Sequence, residues 1–475
     1  MMKLWRGILA ILMIAALICP AAMAEDAQNI TDQCKFWVSE GSPDYISDIS
    51  IKTGWAPANV GAEVRVALPE NAGYLALDWF DDPTGYIFTQ YNAAQEPIAA
   101  TDEKESYVGI TQLFRLQEDA RYVSLQLTQP GQAVHKIRVY TRGELTPDIK
   151  DFLPPLDKCD LMVVSAHQDD EWIFFGGIIP YYQCVQDKDV QVVYMANCGR
   201  FRKAEALNGL WAGGVLNHPE FIDLKDENIS SIETALEHWG GREGLMGQLV
   251  ERIRRFQPEV ILTHDYNGEY GHKQHILTAT AMSYAIAAAA DPTTYPESYE
   301  KYGAWEVKKL YIHLATECEI DFDWNKPYEE LNGQTPLEVA RRAYDEHESQ
   351  HKYYQVEDGG KYDNSRFGLT YSTVGWDEVH DDLFENIAEL PAATPVPTSE
   401  PTPEPTAEPT AAPDTVQTPE PEVLPEIKDE MTVSAGKVIL IIAGCIAVAA
   451  VGGLILHRQM RIRRLRMRKR NMRRR

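Results

Sequence analysis

No two of the seven cysteines in this 475-residue chain fall into a CxxC pair, which argues against a thiolate-rich metal site. One cysteine lies in an apolar N-terminal stretch and one in an apolar C-terminal stretch, leaving Cys34, Cys159, Cys184, Cys198 and Cys318. Five is odd, so at least one thiol is free or pairs with another chain, and the rest read as core residues or as one or two disulfides. Basic residues are scarce as well: 45 Lys and Arg stand against 71 Asp and Glu. Eleven of the basics follow Leu456, where there is no acid; with these, Lys437, Lys3 and Arg6 set aside, residues 25–436 carry about −40. A body this acidic lacks the basic face that nucleic-acid binding requires, so no nucleic acid is expected as a partner.

What is present points to several compact parts. Hydrophobic residues make up 44% of the chain, with ten tryptophans, enough for more than one core. Lys3 and Arg6, the apolar stretch Ile8 to Cys19 and the small-residue site Ala22-Met23-Ala24 read as a signal peptide over 1–24. Residues 391–430 hold 11 of the 28 prolines, with Thr and Glu between them, and read as an extended spacer. Val438 to Leu456 is a run without a charge that spans roughly 28 Å as a helix, close to a bilayer's hydrocarbon thickness. The basic segment 457–475 then belongs on the cytoplasmic side. The expectation is a single-pass cell-membrane protein with an extracellular body.

Within that body the periodicity changes once. Over 25–150, segments such as YLALDWFD, GYIFTQYN, RYVSLQLTQ and HKIRVYTRG alternate apolar and polar positions between Pro, Gly and Asp clusters, the pattern of a β-sandwich. In pattern this part resembles the galactose-binding-like jelly rolls attached to secreted carbohydrate enzymes. Trp79, Tyr86 and Tyr91 are then either sugar-stacking rings or inter-sheet packing. Over 156–390, the strand-like runs 161–167, 190–197, 221–224, 259–265 and 307–315 alternate with helix-like stretches 171–186, 202–214, 240–256 and 274–290. Strands apolar on both sides predict an α/β domain with a Rossmann-like, mostly parallel sheet and helices on both faces.

In such sheets ligands bind outside the carboxyl ends of the strands. His167-Gln168-Asp169-Asp170 falls at one such end, and His264-Asp265 at another, followed by a loop reaching His272 and His275. Each motif alone has a bland reading: an Asp pair caps a helix, and two histidines three apart share a helix face. Together they offer imidazole and carboxylate to one crevice. A zinc ion with three protein ligands and an open position accounts for acids packed this closely.

AHQDDE, followed by FFGG and later by GEYGHKQH, resembles the PIG-L/LmbE-like zinc-dependent N-acetyl-sugar deacetylases, whose motifs are (A/P)HPDDE and a terminal Gly-His-x-x-His. The resemblance runs across about 156–390. By position it implies that His167, Asp170 and His275 hold zinc, and that Asp169 is the general base. It further implies that Tyr270 donates to the oxyanion, and that His272 stabilises the intermediate or protonates the departing amine. Arg202 matches a substrate-contacting arginine, and Asp226 is a further sugar contact. The implied activity is release of acetate from an N-acetylated glycan. Its rivals are cleavage of another amide or ester, such as a cell-wall fragment, and a silent glycan-binding surface protein.

Two departures from the family pattern carry expectations. Gln168 replaces the usual proline and should relax the turn. Gln274 stands where many relatives have an acid and should hydrogen-bond the His272 ring. His264 and Asp265 are candidates to orient a ligating histidine.

Overall fold

The computed structural model describes residues 25–388, save positions 49, 51, 103–108 and 227–230, and these fall in one compact unit, Met1–Ala392. The signal peptide expected at 1–24, the spacer at 391–430, the apolar helix at 438–456 and the tail at 457–475 lie outside the described residues. Among the described residues no helix is long and apolar enough to cross a membrane, and Cys34, Cys159, Cys184, Cys198 and Cys318 form no disulfide.

The first part of the described chain builds eight strands: β1 (Lys35–Val38), β2 (Glu63–Ala67), β3 (Ala72–Trp79), β4 (Tyr86–Tyr91), β5 (Pro97–Asp102), β6 (Thr111–Arg115), β7 (Tyr122–Leu127) and β8 (Val134–Thr141). They form two antiparallel sheets, ordered β1-β2-β7-β4-β5 and β6-β3-β8. Alternation puts Val64, Val66, Phe88, Val123 and Leu125 of the first sheet into one core with Leu75, Leu77, Phe114, Ile137 and Val139 of the second. Phe88 and Phe114 stack across the sandwich at 4.1 Å between ring centroids. Each buried aromatic of this size is worth roughly 1.5–3 kcal/mol. Trp79 and Tyr86, weighed as sugar-stacking rings, are core residues with 3% and 1% exposure. Burial is open to them because Gln112 accepts from both the Trp79 indole N–H and the Tyr86 hydroxyl. Tyr91 alone of the three lies on the outer face, half-buried.

The second part builds a seven-stranded sheet from β9 (Leu161–Ser165), β10 (Val190–Asn197), β11 (Glu220–Lys225), β12 (Val260–Thr263), β13 (Lys309–His313), β14 (Glu319–Asp321) and β15 (Arg366–Ser372). The order is β11-β10-β9-β12-β13-β15-β14. The first five strands are parallel, and β15 and β14 join antiparallel. Its helices include α1 (Asp170–Ile173), α2 (Arg200–Ala212), α3 (Ile232–His238), α4 (Gly241–Phe256), α5 (Lys273–Ala290) and α6 (Pro336–Asp345). Leu161 and Val163 of β9 pack with Leu210 of α2 and Ala340 of α6, whereas Met162 and Val164 pack with Leu249 of α4 and Met282 of α5. Opposite faces of one strand thus serve two cores, and helices cover the sheet on both sides.

The helix expected over 171–186 is broken. Gly176 has a φ of +51°, and a Cβ there would lie 2.7 Å from the Asn364 side chain. The chain turns at that point and resumes as a short helix at Ile178–Pro180, followed by one wide turn, Tyr181–Val185. The two parts also share an interface. His218, just before β11, accepts the Ile110 N–H of the sandwich through Nε2 at 3.2 Å, and Leu153 pairs with Asn217.

The strand order positions the site. From β9 the chain moves outward to β10 and β11 in one direction, then returns to β12 and continues to β13 in the other. The reversal falls between β9 and β12, where an open α/β sheet leaves a crevice at its carboxyl edge.

Candidate active site

Both sequence motifs open onto that crevice. His167 follows β9, Asp170 begins α1, and the loop after β12 delivers His272 and His275 at the start of α5. Gly268 makes the loop's tight return possible. Its φ is +64°, and a Cβ there would lie 2.5 Å from the His272 carbonyl oxygen.

Three donor atoms converge. His167 Nδ1 lies 3.0 Å from Asp170 Oδ2 and 3.2 Å from His275 Nε2, and His275 Nε2 lies 3.2 Å from Asp170 Oδ2. The other nitrogen of each ring fixes the tautomer. His167 Nε2 donates to Gln274 Oε1 at 2.8 Å, and His275 Nδ1 donates to Glu269 Oε2 at 2.7 Å. With those protons placed outward, both rings and Asp170 present only lone pairs to one point. Lone pairs at this spacing repel unless a cation sits among them, and the edge length suits ligands about 2.0–2.1 Å from a tetrahedral ion. The residues therefore fit a metal ion.

The electrostatics agree. Burial works to raise Asp170, yet the His275 and His167 rings beside it hold its carboxyl well below the ordinary carboxylate range. Burial works against charge on His275, yet Asp170 and Glu269 push it up to about 10. Two carboxylates facing that ring call for positive charge there. Two groupings lie within ligand spacing among the described residues, His167 with His272 and His275, and Asp170 with His264 and His275; both share His275, and His264 is already committed. Its Nε2 accepts from the Ala166 N–H at 2.8 Å and its Nδ1 donates to Glu269 at 2.9 Å.

Asp169 sits beside the triad, buried, with a φ of +138°, a backbone conformation that non-glycine residues rarely adopt. Its neighbours hold it there: Arg202 bonds Asp169 Oδ1 at 2.7 Å, and the Asp169 N–H donates to Glu171 Oε2 at 2.9 Å. Burial raises the Asp169 carboxyl to about 7, with Arg202 opposing. Burial likewise raises Glu171 to about 8; it accepts the Tyr194 hydroxyl at 2.5 Å.

Three expectations change. Gln168 does not relax its turn: its amide donates to the Ala196 carbonyl, and its own carbonyl accepts from Arg202. Gln274 orients His167 rather than His272. Asp265 does not orient a ligating ring; its carboxylate caps the Asn267 N–H. Arg202 pairs with the buried Asp169 carboxylate and lies 3.8 Å from Glu205. Asp226 does face the site, with Oδ1 3.8 Å from His167 Nε2.

Tyr270 and His272 flank the triad. The Tyr270 ring lies 5.6 Å from those of His272 and His275, and burial with Asp170 nearby raises its phenol, which keeps its proton. Burial and the neighbouring His275 and His167 lower His272 to about 3. His272 Nδ1 is buried without a hydrogen-bond partner among the described residues.

Two functional residues escaped sequence reasoning. Glu269, fully buried, accepts from three imidazoles: His264 and His275 on Oε2, and His313 on Oε1 at 2.6 Å. Burial acts to raise it, but those rings hold it well below the ordinary range. His313 ends β13, and its Nε2 lies 2.9 Å from the Asp363 carbonyl. The strand-end rule that marked His167 and His264 marks His313 too, whereas nothing in its spacing marked Glu269.

Residues 162–286 match the family model described as PIG-L, GlcNAc-PI de-N-acetylase. A 1D-myo-inositol 2-acetamido-2-deoxy-alpha-D-glucopyranoside deacetylase of Geodermatophilus obscurus is 44% identical over 178 residues, 32% of this chain and 60% of that protein. The mycothiol S-conjugate amidase of Streptomyces coelicolor is 34% identical over 185 residues, 33% of this chain and 61% of that protein. The chain thus spans about three fifths of the length of the curated relatives it matches. Among solved structures, N,N'-diacetylchitobiose deacetylase from Pyrococcus horikoshii aligns at a TM-score of 0.27 and 16% identity, over 40% of this chain and 72% of that one. CpGH89CBM32-6 produced by Clostridium perfringens aligns at 0.22 and 17%, over 24% of this chain and 100% of that one.

Proposed function

We propose, for a chain that carries a PIG-L-family domain over residues 162–286, that the protein is a zinc-dependent hydrolase releasing acetate from an N-acetylated amino sugar. The observation that carries this reading is the convergence of His167 Nδ1, Asp170 Oδ2 and His275 Nε2. Two imidazoles and one carboxylate are a catalytic zinc's donor set, and such an ion supplies Lewis acidity and lowers the pKa of bound water to about 7.

The chain's own groups do the rest. Asp169, fixed by Arg202 and the Glu171 carboxyl, takes a proton from the attacking water as its oxygen bonds to the acetamide carbon. Tyr270 donates its hydroxyl proton in a hydrogen bond to the carbonyl oxygen as negative charge develops there. Asp169 then returns that proton to the nitrogen as the C–N bond breaks, while the neutral His272 ring hydrogen-bonds the intermediate, so acetate and a free amine leave. Asp226, at the opening, accepts from a sugar hydroxyl. The same reading keeps the expected signal peptide and apolar segment 438–456, placing the body outside the cell.

The test is acetate release by the zinc-loaded full chain across N-acetylated amino sugars. Release that a chelator abolishes and zinc restores supports the reading. Zinc-bound protein that releases no acetate from any of them overturns it. Asp169→Asn should retain zinc while acetate release falls about 10²–10⁴-fold.

A further inference from the structure

Beyond Tyr270 the site does not close. A cavity of about 630 Å³ begins at Phe174 and Tyr270 and is walled by Tyr353, Tyr354 and Tyr362. It adjoins a second of about 830 Å³, with which it shares His351, Tyr354, Gln355 and Glu357. Each lies within the range that encloses a whole small ligand. The Tyr354 ring lies nearly parallel to that of Tyr270, with 6.3 Å between centroids and 19° between planes, while Tyr362 stands edge-on to both Tyr270 and Phe174.

Tyr362 is half-buried against the core, but the other three tyrosines are displayed rather than packed. Tyr353 is 67% exposed, Tyr270 47% and Tyr354 44%. The segment that carries two of them is nevertheless pinned. Val356 is buried and its carbonyl accepts from Arg341 at 3.1 Å, Asn364 donates to the Glu357 carbonyl at 2.7 Å, and Asn325 donates to Asp358 at 3.0 Å. A held wall of exposed aromatic rings leading from a catalytic centre costs hydration unless a ligand covers it.

We propose that this cleft is a second saccharide site, so that the N-acetylated unit at the triad is presented as part of a glycan chain rather than as a small conjugate. This rests on the reading that the triad hydrolyses an N-acetyl group. The chemistry of the lining selects the occupant. Sugar rings offer apolar C–H faces to tyrosine rings and hydroxyls to the polar groups between them, here Gln355, Glu357 and Lys352. Asp345, Glu357 and Asp358 outnumber Arg341 and Lys352 across the two cavities. Arg341 donates its Nε–H to the Val356 carbonyl, and Lys352 sits over the Tyr353 ring at 4.9 Å. A phosphorylated aglycone would need cations that this cleft does not gather.

The experiment compares N-acetylglucosamine with its β-1,4- and β-1,6-linked oligomers of two to five units, using the zinc-loaded full chain. Acetate release gives kcat/KM, and calorimetry gives affinity independently of turnover. For at least one linkage, kcat/KM should rise about tenfold or more from one unit to three, because remote binding energy lowers the barrier. In Tyr353→Ala and Tyr354→Ala the ratio of trimer to monomer kcat/KM should drop several-fold, about the worth of one aromatic stack, and Tyr354→Phe should restore it. Acetate release that ignores chain length in both linkages, or a ratio unmoved by either alanine variant, overturns the second site and leaves the deacetylase reading standing. Oligomer binding that depends on Tyr354 without acetate release from any sugar does the reverse.

Discussion

Lys309, Tyr311 and Asp377 form one buried ionic cluster against the seven-stranded sheet, and His167, Asp170 and His275 form another at the ends of β9 and β12. In the first, every donor meets an acceptor. Lys309 and Tyr311 both donate to Asp377, and Lys309 donates also to the Tyr311 hydroxyl at 3.0 Å and the Leu383 carbonyl at 3.2 Å. In the second, the protons point outward to Gln274 and Glu269, and three acceptors face one another. Burial is alike in the two; the direction of the protons is not, and only the first holds its own cation. A closed cluster holds the fold, and one left open to a cation is poised for chemistry. Strand β13 touches both networks, with Lys309 and Tyr311 in the first and His313 reaching Glu269 behind the second.

The comparison can be broken by exchanging what each cluster loses. His275→Ala should remove zinc and lower acetate release by about 10³-fold or more, the scale expected when an assisting metal is lost. Metal analysis and acetate assay on the same preparation check this; a variant that keeps stoichiometric zinc and turnover would end the assignment of His275. Asp377→Ala should do the opposite, retaining zinc per folded chain but losing about 3–5 kcal/mol of stability, because Lys309 is left buried and unpaired. Denaturant unfolding measures that loss.

A buried histidine outside both clusters sharpens the contrast. Burial lowers His218 at the sandwich interface to about 4 from 6.5. The unfolded chain therefore binds this proton more readily than the folded one. The stabilisation is complete above pH 6.5 and is lost as pH falls from there toward about 4, a change on the order of 3 kcal/mol. Unfolding curves across that window should show it, and His218→Gln, which cannot take up the proton, should flatten this part of the dependence. The smallest effect is expected at Glu269→Gln. A neutral amide still occupies the space but orients His275 less firmly, so zinc affinity should weaken about 10–100-fold. A competition titration reads this, and an unchanged affinity would reduce Glu269 to a packing residue.

Much of the fold was legible because period-2 and period-3.6 patterns are local. Strands β9, β10 and β12 and helices α2, α4 and α5 lie within a few residues of their expected spans. The helix expected at 171–186 broke because Gly176 answers to Asn364, a residue far along the chain. Trp79 and Tyr86 could be read as sugar-stacking or as packing rings, and Gln112, by supplying both hydrogen bonds, accounts for the packing role.

Local pattern alone brought His167, Asp170 and His275 to the crevice. His167 and Asp170 follow one strand and His275 another, and strand ends in a parallel sheet share an edge. Only the tertiary structure decided what each residue does there. Gln274 serves His167, 107 positions away, because β12 lies beside β9. Glu269 gathers His264, His275 and His313 because β13 lies beside β12. A hydrogen bond is set by distances of about 3 Å between specific atoms, and strand order, which no local pattern encodes, brings those atoms together.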